Sequence, residues 1–358
     1  MELSAVPPDA VEMDVVFHAL DAGTDVADLA PSVFARAWPA YRSWFLRDGE
    51  EARPSYLTAV RQLQRHMPEL VPTYERLVDA VGGGDLEARF LSHWCPPPLF
   101  VACSMATWTR DARLLVRNYD FPPALCDTTV MRSSWNGTEV LAMSDCVWGA
   151  LDGVNGHGLS VAISFGGRKV VGPGFGIGLV VRYLLEVCPD VPAALQVLAR
   201  VPVAMAYNVA LVDAAGASAV VFVSPDRAMR VAPGSTAANR QGATEWPAHA
   251  EFCRTEERED VLACAVADPA MTAHGLIDTF LTAPVYRPTQ ESTWGTVYTA
   301  VYDSDARALT LRWPDAAWTL ELDGFQPGAL VRRSLVALPP VEHAPLPAHA
   351  QERPLLIA

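Results

Sequence analysis

Residues 102–121, "ACSMATWTRDARLLVRNYDF", hold three side chains that could do chemistry together. One is the thiol of Cys103, at the start of the first of two strand-like stretches hinged at "TRDAR"; the others are Arg117 and Asp120 on the second stretch. A lone cysteine at a strand start is ordinarily core. "VRNYD" argues for more, because an Arg, an Asn and an Asp fall within four residues of an otherwise apolar run. Strand alternation sends Arg117 and Tyr119 to one face and Asn118 and Asp120 to the other, so both faces receive polar groups that need partners if buried. A guanidinium near a thiol lowers its pKa, and a carboxylate can orient an amine or the guanidinium itself. Such a set suits attack by sulfur on an acyl carbon.

Two other stretches compete. His157 in "NGHGLS" sits in a turn beside a strand and could serve Cys103 as the base of a Cys–His thiol peptidase. No papain-type signature surrounds Cys103, however, and His157 reads as easily as an exposed turn residue. "GPGFGIG" at 172–178 evokes a dinucleotide loop, but Ile177 stands where a third glycine is needed and no P-loop Lys-Ser/Thr follows. It reads as a turn opening a helix.

The chain that must position these groups has 358 residues, 51% hydrophobic and 19% charged, within the range of ordinary globular proteins. A net charge of −14 gives phosphates no basic field to follow, which argues against nucleic acid as a partner. Of the 27 basic residues only Lys169 is a lysine, which points to coding bias rather than function. No stretch reaches the roughly 18 apolar residues of a spanning helix, and the N-terminus lacks a signal-peptide pattern, so the expectation is a cytoplasmic protein with no membrane partner. Seven scattered cysteines without a C-x-x-C pair argue against a disulfide framework or a zinc site.

Residues 1 to about 95 read as helical. Leu57, Val60 and Leu63, then Leu70, Tyr74, Leu77 and Val78, recur at helical spacing up to Gly82-Gly83-Gly84, and "CPPPLF" then breaks any helix. From Cys103 the texture changes to hairpins. "AYNVALVDAAGASAVVFVS" and "TVYTAVYDSDARALTLRW" bend at "DAAG" and "DSDAR", while "GIGLVVRYLLEVC", "PDVPAALQVLARV" and "TEEREDVLACAVA" read as helices. Hairpins, a helical block and more hairpins imply an α+β sandwich with largely antiparallel sheets. The tail from 337 is Pro- and Ala-rich and reads as an extended strap or loose end.

The "C-S" start, the "R-N-x-D" strand and "DGVNGHGLSVAISFGG" together resemble the N-terminal nucleophile (Ntn) hydrolases. Within them the chain is similar to the acyl-coenzyme A:6-aminopenicillanate acyltransferase family, related to bile-salt and penicillin V hydrolases. "MSDCVWGALDGVN", "GGRKVVGPGFGIGLVVRYLLEVC", "AYNVALVD" and "TVYTAVYD" extend the likeness along the chain. The resemblance implies a four-layer αββα sandwich over 103–358, preceded by a helical pro-segment or α subunit at 1–102. It also implies a precursor cut between Ala102 and Cys103, so that Cys103 gains a free α-amine as its own base.

The resemblance further implies roles for Arg117 and Asp120 in holding the nucleophile and its amine, and for Asn239 in "STAANRQG" at the oxyanion site. Arg258 in "CRTEERED" matches the late arginine, with Arg254 as rival. Ser164 and Asn208 fall on the substrate side; Ser164 stands where bile-salt relatives carry Asn, and Ala102 stands where Gly is familiar. The implied activity is hydrolysis or transfer at a linear amide or thioester through an acyl-Cys103 intermediate, with no metal or cofactor. Acyl-coenzyme A is open as a donor. The expected partners are a small acyl substrate and the chain's own N-terminal segment, packed as a subunit after the cut; a homo-oligomer is left open. The alternatives are an uncleaved binding or scaffold member of the same fold, and the Cys–His peptidase using His157.

Overall fold

The computed structural model describes residues 10–290 and 293–337. The first segment departs from an all-helical reading at its start, because Ala10–Asp21 is a strand, β1. Its residues alternate in burial toward the end, with Phe17 and Ala19 in the core. Helices α1 (Ala30–Phe45), α2 (Tyr56–His66), α3 (Val71–Ala80) and α4 (Asp85–Leu91) follow. Ser55 caps α2 by accepting from the Thr58 amide at 3.3 Å. Past α3 the chain turns where the spacing indicated, with Gly82 at φ +107° and the Gly83 amide donating to Val78 O at 2.9 Å.

Ten strands then run to residue 237: β2 (Ala102–Trp108), β3 (Leu114–Phe121), β4 (Thr129–Ser133), β5 (Val140–Asp145), β6 (Gly149–Asn155), β7 (Ser160–Phe165), β8 (Tyr207–Val212), β9 (Ser218–Ser224), β10 (Arg227–Val231) and β11 (Thr236–Ala237). Between β7 and β8 lie α5 (Ile177–Val187) and α6 (Val191–Arg200), the latter capped by Asp190 on the Ala193 amide at 2.9 Å. After β11 come α7 (Pro247–Phe252), α8 (Thr255–Ala267) and α9 (Ala273–Phe280), and then β12 (Gly295–Asp303), β13 (Ala308–Trp313), β14 (Ala316–Glu321) and β15 (Gly328–Ala337). The hairpins and the three helices read from the sequence after Cys103 are all present. The Pro- and Ala-rich tail beyond Ala337 lies outside the described residues.

Two sheets form. One has nine strands in the order β10-β9-β8-β7-β6-β5-β4-β1-β15, and the other six in the order β11-β2-β3-β12-β13-β14. Among the described residues, all pairings between these strands are antiparallel except β1 with β4. The sheets face each other through β2 and β3 against β7 and β8; α5 and α6 cover the outer face of the larger sheet, and α8 and α9 that of the smaller. The fold is therefore α+β, with two sheets between helical layers.

Alternation along β3 sorts its residues between two cores. Leu115 and Tyr119 join the large core between the sheets, whereas Leu114 and Val116 pack with Leu262, Leu276 and Phe280 under α8 and α9. The opposed faces inferred for Arg117 and Asp120 are these two.

Candidate active site

β2 and β3 place the nucleophile candidate through their register. Cys103 pairs with Tyr119 and so points between the sheets, while Ala102 pairs with Asp120 and points toward the α7–α8 side. There Ala102 packs with Cys253 and Trp294. Cys103 is fully buried at the beginning of its strand.

Three elements converge on it. From β3, Arg117 Nη2 stands 3.3 Å from Cys103 Sγ. From beyond β11, Asn239 Oδ1 accepts from the Cys103 backbone N–H at 3.2 Å. From α8, Arg258 Nη1 donates to the Cys103 carbonyl at 2.9 Å and to Asp120 Oδ2 at 3.0 Å, while its Nη2 donates to Asn239 Oδ1 at 2.7 Å. Because a guanidinium can only donate, the Arg258 contact fixes which end of the Asn239 amide is oxygen. The Nδ2 end then donates to Phe165 O at 3.0 Å and keeps a second N–H. Arg254, the rival for the arginine role, is instead an exposed partner of Glu257. The exposed His157 sits in the β6–β7 turn, while Arg117 meets β7 farther along, at Ile163 O, 2.8 Å away. Ile163 lies three residue steps along the strand from Ser160, roughly 10 Å of rise.

Ser164 and Asn208 are paired across β7 and β8. They stand behind Asn239 rather than in the cavity that Arg117 lines. Ser164 Oγ donates to Ala238 O at 2.7 Å, and Asn208 Nδ2 reaches the same oxygen at 2.9 Å and Ser164 Oγ at 3.0 Å. They thus fasten the backbone that carries Asn239. Gly167 helps from the other side: at φ +69°, a Cβ there would stand 2.0 Å from Asn239 O.

The charges on this site are paired in two sets. Arg117 is held by Asp152 of β6, and Tyr298 Oη donates to the same carboxylate at 2.9 Å; Tyr302 donates to its other oxygen. Asp120 is held by Arg258 and by Thr296 Oγ1 at 2.8 Å. Burial pushes the Asp120 carboxyl above its usual range, against the pull of Arg258. Burial also raises the Cys103 thiol, which Arg117 opposes and Asp120 reinforces. The thiol in the continuous chain is therefore protonated and needs a base. Asp152 and Tyr298 escaped the sequence reading, although a carboxylate within the apolar strand "GALDGVN" was a sign that a buried cation lay opposite.

A second thiol and an imidazole flank the peptide before Cys103. Cys253 Sγ lies 3.4 Å from His249 Nδ1, and the His249 ring bonds the Val101 backbone. Burial, followed by Arg258, lowers the His249 pKa to about 4, so the ring is neutral.

A largely apolar cavity, partly open to solvent, is lined by Val101, Arg117, Tyr119 and Ile163; Cys103, which Arg117 contacts, is not itself in the lining. The N-terminal segment supplies another wall with Trp44, Phe45 and Phe90. Among the described residues no three His, Cys, Asp or Glu side chains group as for a metal, and no helix is long and apolar enough to cross a membrane.

Similar folds occur among solved structures. Penicillin V acylase from Agrobacterium tumefaciens is 14% identical with a TM-score of 0.42, over 62% of this chain and 86% of that one. A mutant of the conjugated bile acid hydrolase from Clostridium perfringens is 12% identical with a TM-score of 0.43, over 67% and 100%. An ortholog of N-acylethanolamine-hydrolyzing acid amidase from Caenorhabditis elegans is 14% identical with a TM-score of 0.42, over 66% and 100%. No curated protein matches the chain in sequence. The family model for acyl-coenzyme A:6-aminopenicillanic acid acyl-transferase matches residues 108–318, beginning just past Cys103 and spanning Arg117, Asp120, Asn239 and Arg258. With more than half of its length matched, the chain belongs to that family of Ntn hydrolases.

Proposed function

We propose that the protein is a self-processing amidohydrolase or acyltransferase that acts on a linear amide or thioester through an acyl-Cys103 intermediate. The observation that carries this reading is the convergence on one residue: Arg117 on the sulfur, Asn239 on the nitrogen and Arg258 on the carbonyl oxygen of Cys103.

Processing comes first. The Cys103 thiol attacks the Ala102 carbonyl carbon, the thiol proton passes to the peptide nitrogen, the C–N bond breaks, and the nitrogen leaves as the α-amine of Cys103. Water then opens the thioester, giving an Ala102 carboxylate and a free thiol. In the processed enzyme that amine takes the thiol proton, sulfur adds to the substrate acyl carbon, and the resulting ammonium protonates the departing amine. Water or an acceptor amine, deprotonated by the same α-amine, releases the acyl group and regenerates the thiol. The remaining N–H of Asn239 is the donor this reading assigns to the oxyanion. Every proton and electron pair is carried by Cys103, its amine, water and the substrate.

The apolar cavity lined by Arg117, the residue that contacts the sulfur, suits the acyl chain, and acyl-coenzyme A is open as a donor. The seven cysteines are unpaired, in keeping with a cytoplasmic location. The test is the mass of the purified protein under denaturing conditions, followed by incubation with N-acyl amides. Two fragments meeting at Ala102 and Cys103, and an acyl adduct on the Cys103 fragment, are the expected results. A single full-length mass with an unreactive Cys103 would favour an uncleaved binding or scaffold protein instead.

A further inference from the structure

The Ala102–Cys103 bond ends a stretch that has little backbone to hold it. Residues 96–101 belong to no helix or strand, and Pro96, Pro97 and Pro98 have no amide donor. Among the described residues this stretch makes no hydrogen bond to other backbone. The last one before it is from Cys95 N to Gly174 O at 2.8 Å, and the ladder to β3 begins at Ala102. Downstream of the bond, Asn239 and Arg258 fix the Cys103 backbone. Upstream, side chains must do so.

Phe100 is the side chain placed for it. Its ring stands edge-on to two others: Phe165 at the end of β7, with centroids 5.3 Å apart, and Trp246 at the start of α7, at 5.1 Å. Edge-to-face contact is a favoured geometry for aromatic pairs. Both jaws are buried, and His249 backs them, its ring centroid 5.1 Å from that of Phe165 and 5.0 Å from that of Trp246. The His249 ring also bonds the Val101 backbone, one residue nearer the cut.

Phe165 holds the other side of the bond as well. Its carbonyl accepts from Asn239 Nδ2 at 3.0 Å, and Asn239 Oδ1 accepts the Cys103 N–H at 3.2 Å. One residue of β7 is thus the common reference for both sides of the bond. Phe100 rests on its ring, and Cys103 is tied to its carbonyl through Asn239.

We propose that Phe165 and Trp246, backed by His249, form a clamp for Phe100 that positions the Ala102 carbonyl for attack by the Cys103 thiol. The inference rests on the self-processing reading and names the residues that hold the bond for it. The clamp touches neither reacting atom, so its members are positioning residues. After the cut Phe100 and Cys103 are no longer linked, and the hold on the carbonyl ends with that step.

The experiment follows the cut in the full chain made by cell-free synthesis, on denaturing gels, after synthesis is stopped. Phe100→Ala and Trp246→Ala should each slow the cut about 100-fold, the cost of misplacing a reacting group by about 1 Å. Phe100→Tyr, which keeps the ring, should restore most of the rate. Phe100→Leu, which keeps apolar bulk without the ring, should stay slow. Placed on Cys103→Ala, which holds every chain intact, Phe100→Leu should melt close to its parent; a large fall in melting temperature would make Phe100 ordinary packing and overturn the proposal. Leucine cutting as fast as phenylalanine also overturns it. So does recovery of the Phe100→Leu rate with hydroxylamine, which opens thioesters, because the attack would then be intact. A wild-type chain that never splits sinks the processing reading and this one with it, whereas a wild type and variants that split equally fast sink the clamp alone.

Discussion

Arg258 Nη2 donates to Asn239 Oδ1 at 2.7 Å, so an arginine on α8 decides which way the amide beside Cys103 faces. The same guanidinium binds Asp120, the Ser104 hydroxyl and the Cys103 carbonyl. One side chain thus ties the start of the Cys103 strand to Asn239, the proposed oxyanion donor. Arg258→Lys keeps the charge but cannot reach several acceptors as a planar fork. It should lower kcat by about 100-fold with a much smaller effect on KM, and steady-state kinetics on a good amide substrate would show the split. Asn239→Leu should cost kcat about 100- to 1000-fold, as for loss of an oxyanion donor.

Cys103→Ala should abolish both the cut after Ala102 and turnover, the latter by at least about 1000-fold. Denaturing mass spectrometry reads the first and amine release the second. A mutant that still splits at this bond would remove Cys103 from the processing step.

Asp152→Ala would strand the Arg117 guanidinium without its buried carboxylate. The expected loss of stability is about 3–5 kcal/mol, visible as a lower urea midpoint. Asp152→Asn, which retains hydrogen bonds, should lose less stability but still impair activity, because Arg117 would no longer be anchored beside the sulfur.

His157→Ala should leave cleavage and turnover unchanged, since this residue lies exposed in the β6–β7 turn. A large loss of activity would revive the Cys–His mechanism.

The pH dependence of stability carries a sign that can be checked. The Asp145 carboxyl has an ordinary pKa of 3.8 and is raised by burial, then by Asp127, to about 7 in the folded chain, so between these values the folded state holds the proton more firmly than the unfolded one. Its contribution makes stability fall as pH rises through that window. Asp145→Asn removes the contribution. Its melting temperature relative to wild type should therefore climb from acidic to neutral pH; a constant difference would mean that the carboxyl is not perturbed.

Much of this arrangement was legible in the sequence because strand alternation is a local rule. Arg117 and Asp120 on opposite faces of β3 followed from "VRNYD", and the hairpins after Cys103 from their turn residues. What escaped depends on partners distant along the chain. Asp152 is one residue in an apolar strand until Arg117 is brought opposite it by the stacking of two sheets. Ser164 and Asn208 have the right chemistry for a substrate, yet their donors are spent on Ala238 O, a commitment that only the β7–β8 pairing reveals. The strand at Ala10–Asp21 was hidden for a related reason: its pairing partners lie more than a hundred residues ahead and at the end of the described chain.

That first strand changes what a break at residue 102 would mean mechanically. β1 lies inside the larger sheet, laddered to β15 on one side and β4 on the other. A nick in the backbone would cross neither ladder, and Trp44, Phe45 and Phe90 would still wall the cavity. The two pieces would migrate as one particle under native conditions and separate only when the sheet melts. Supplied as separate polypeptides, they would have to fold together, because each lacks the neighbours that complete its sheet.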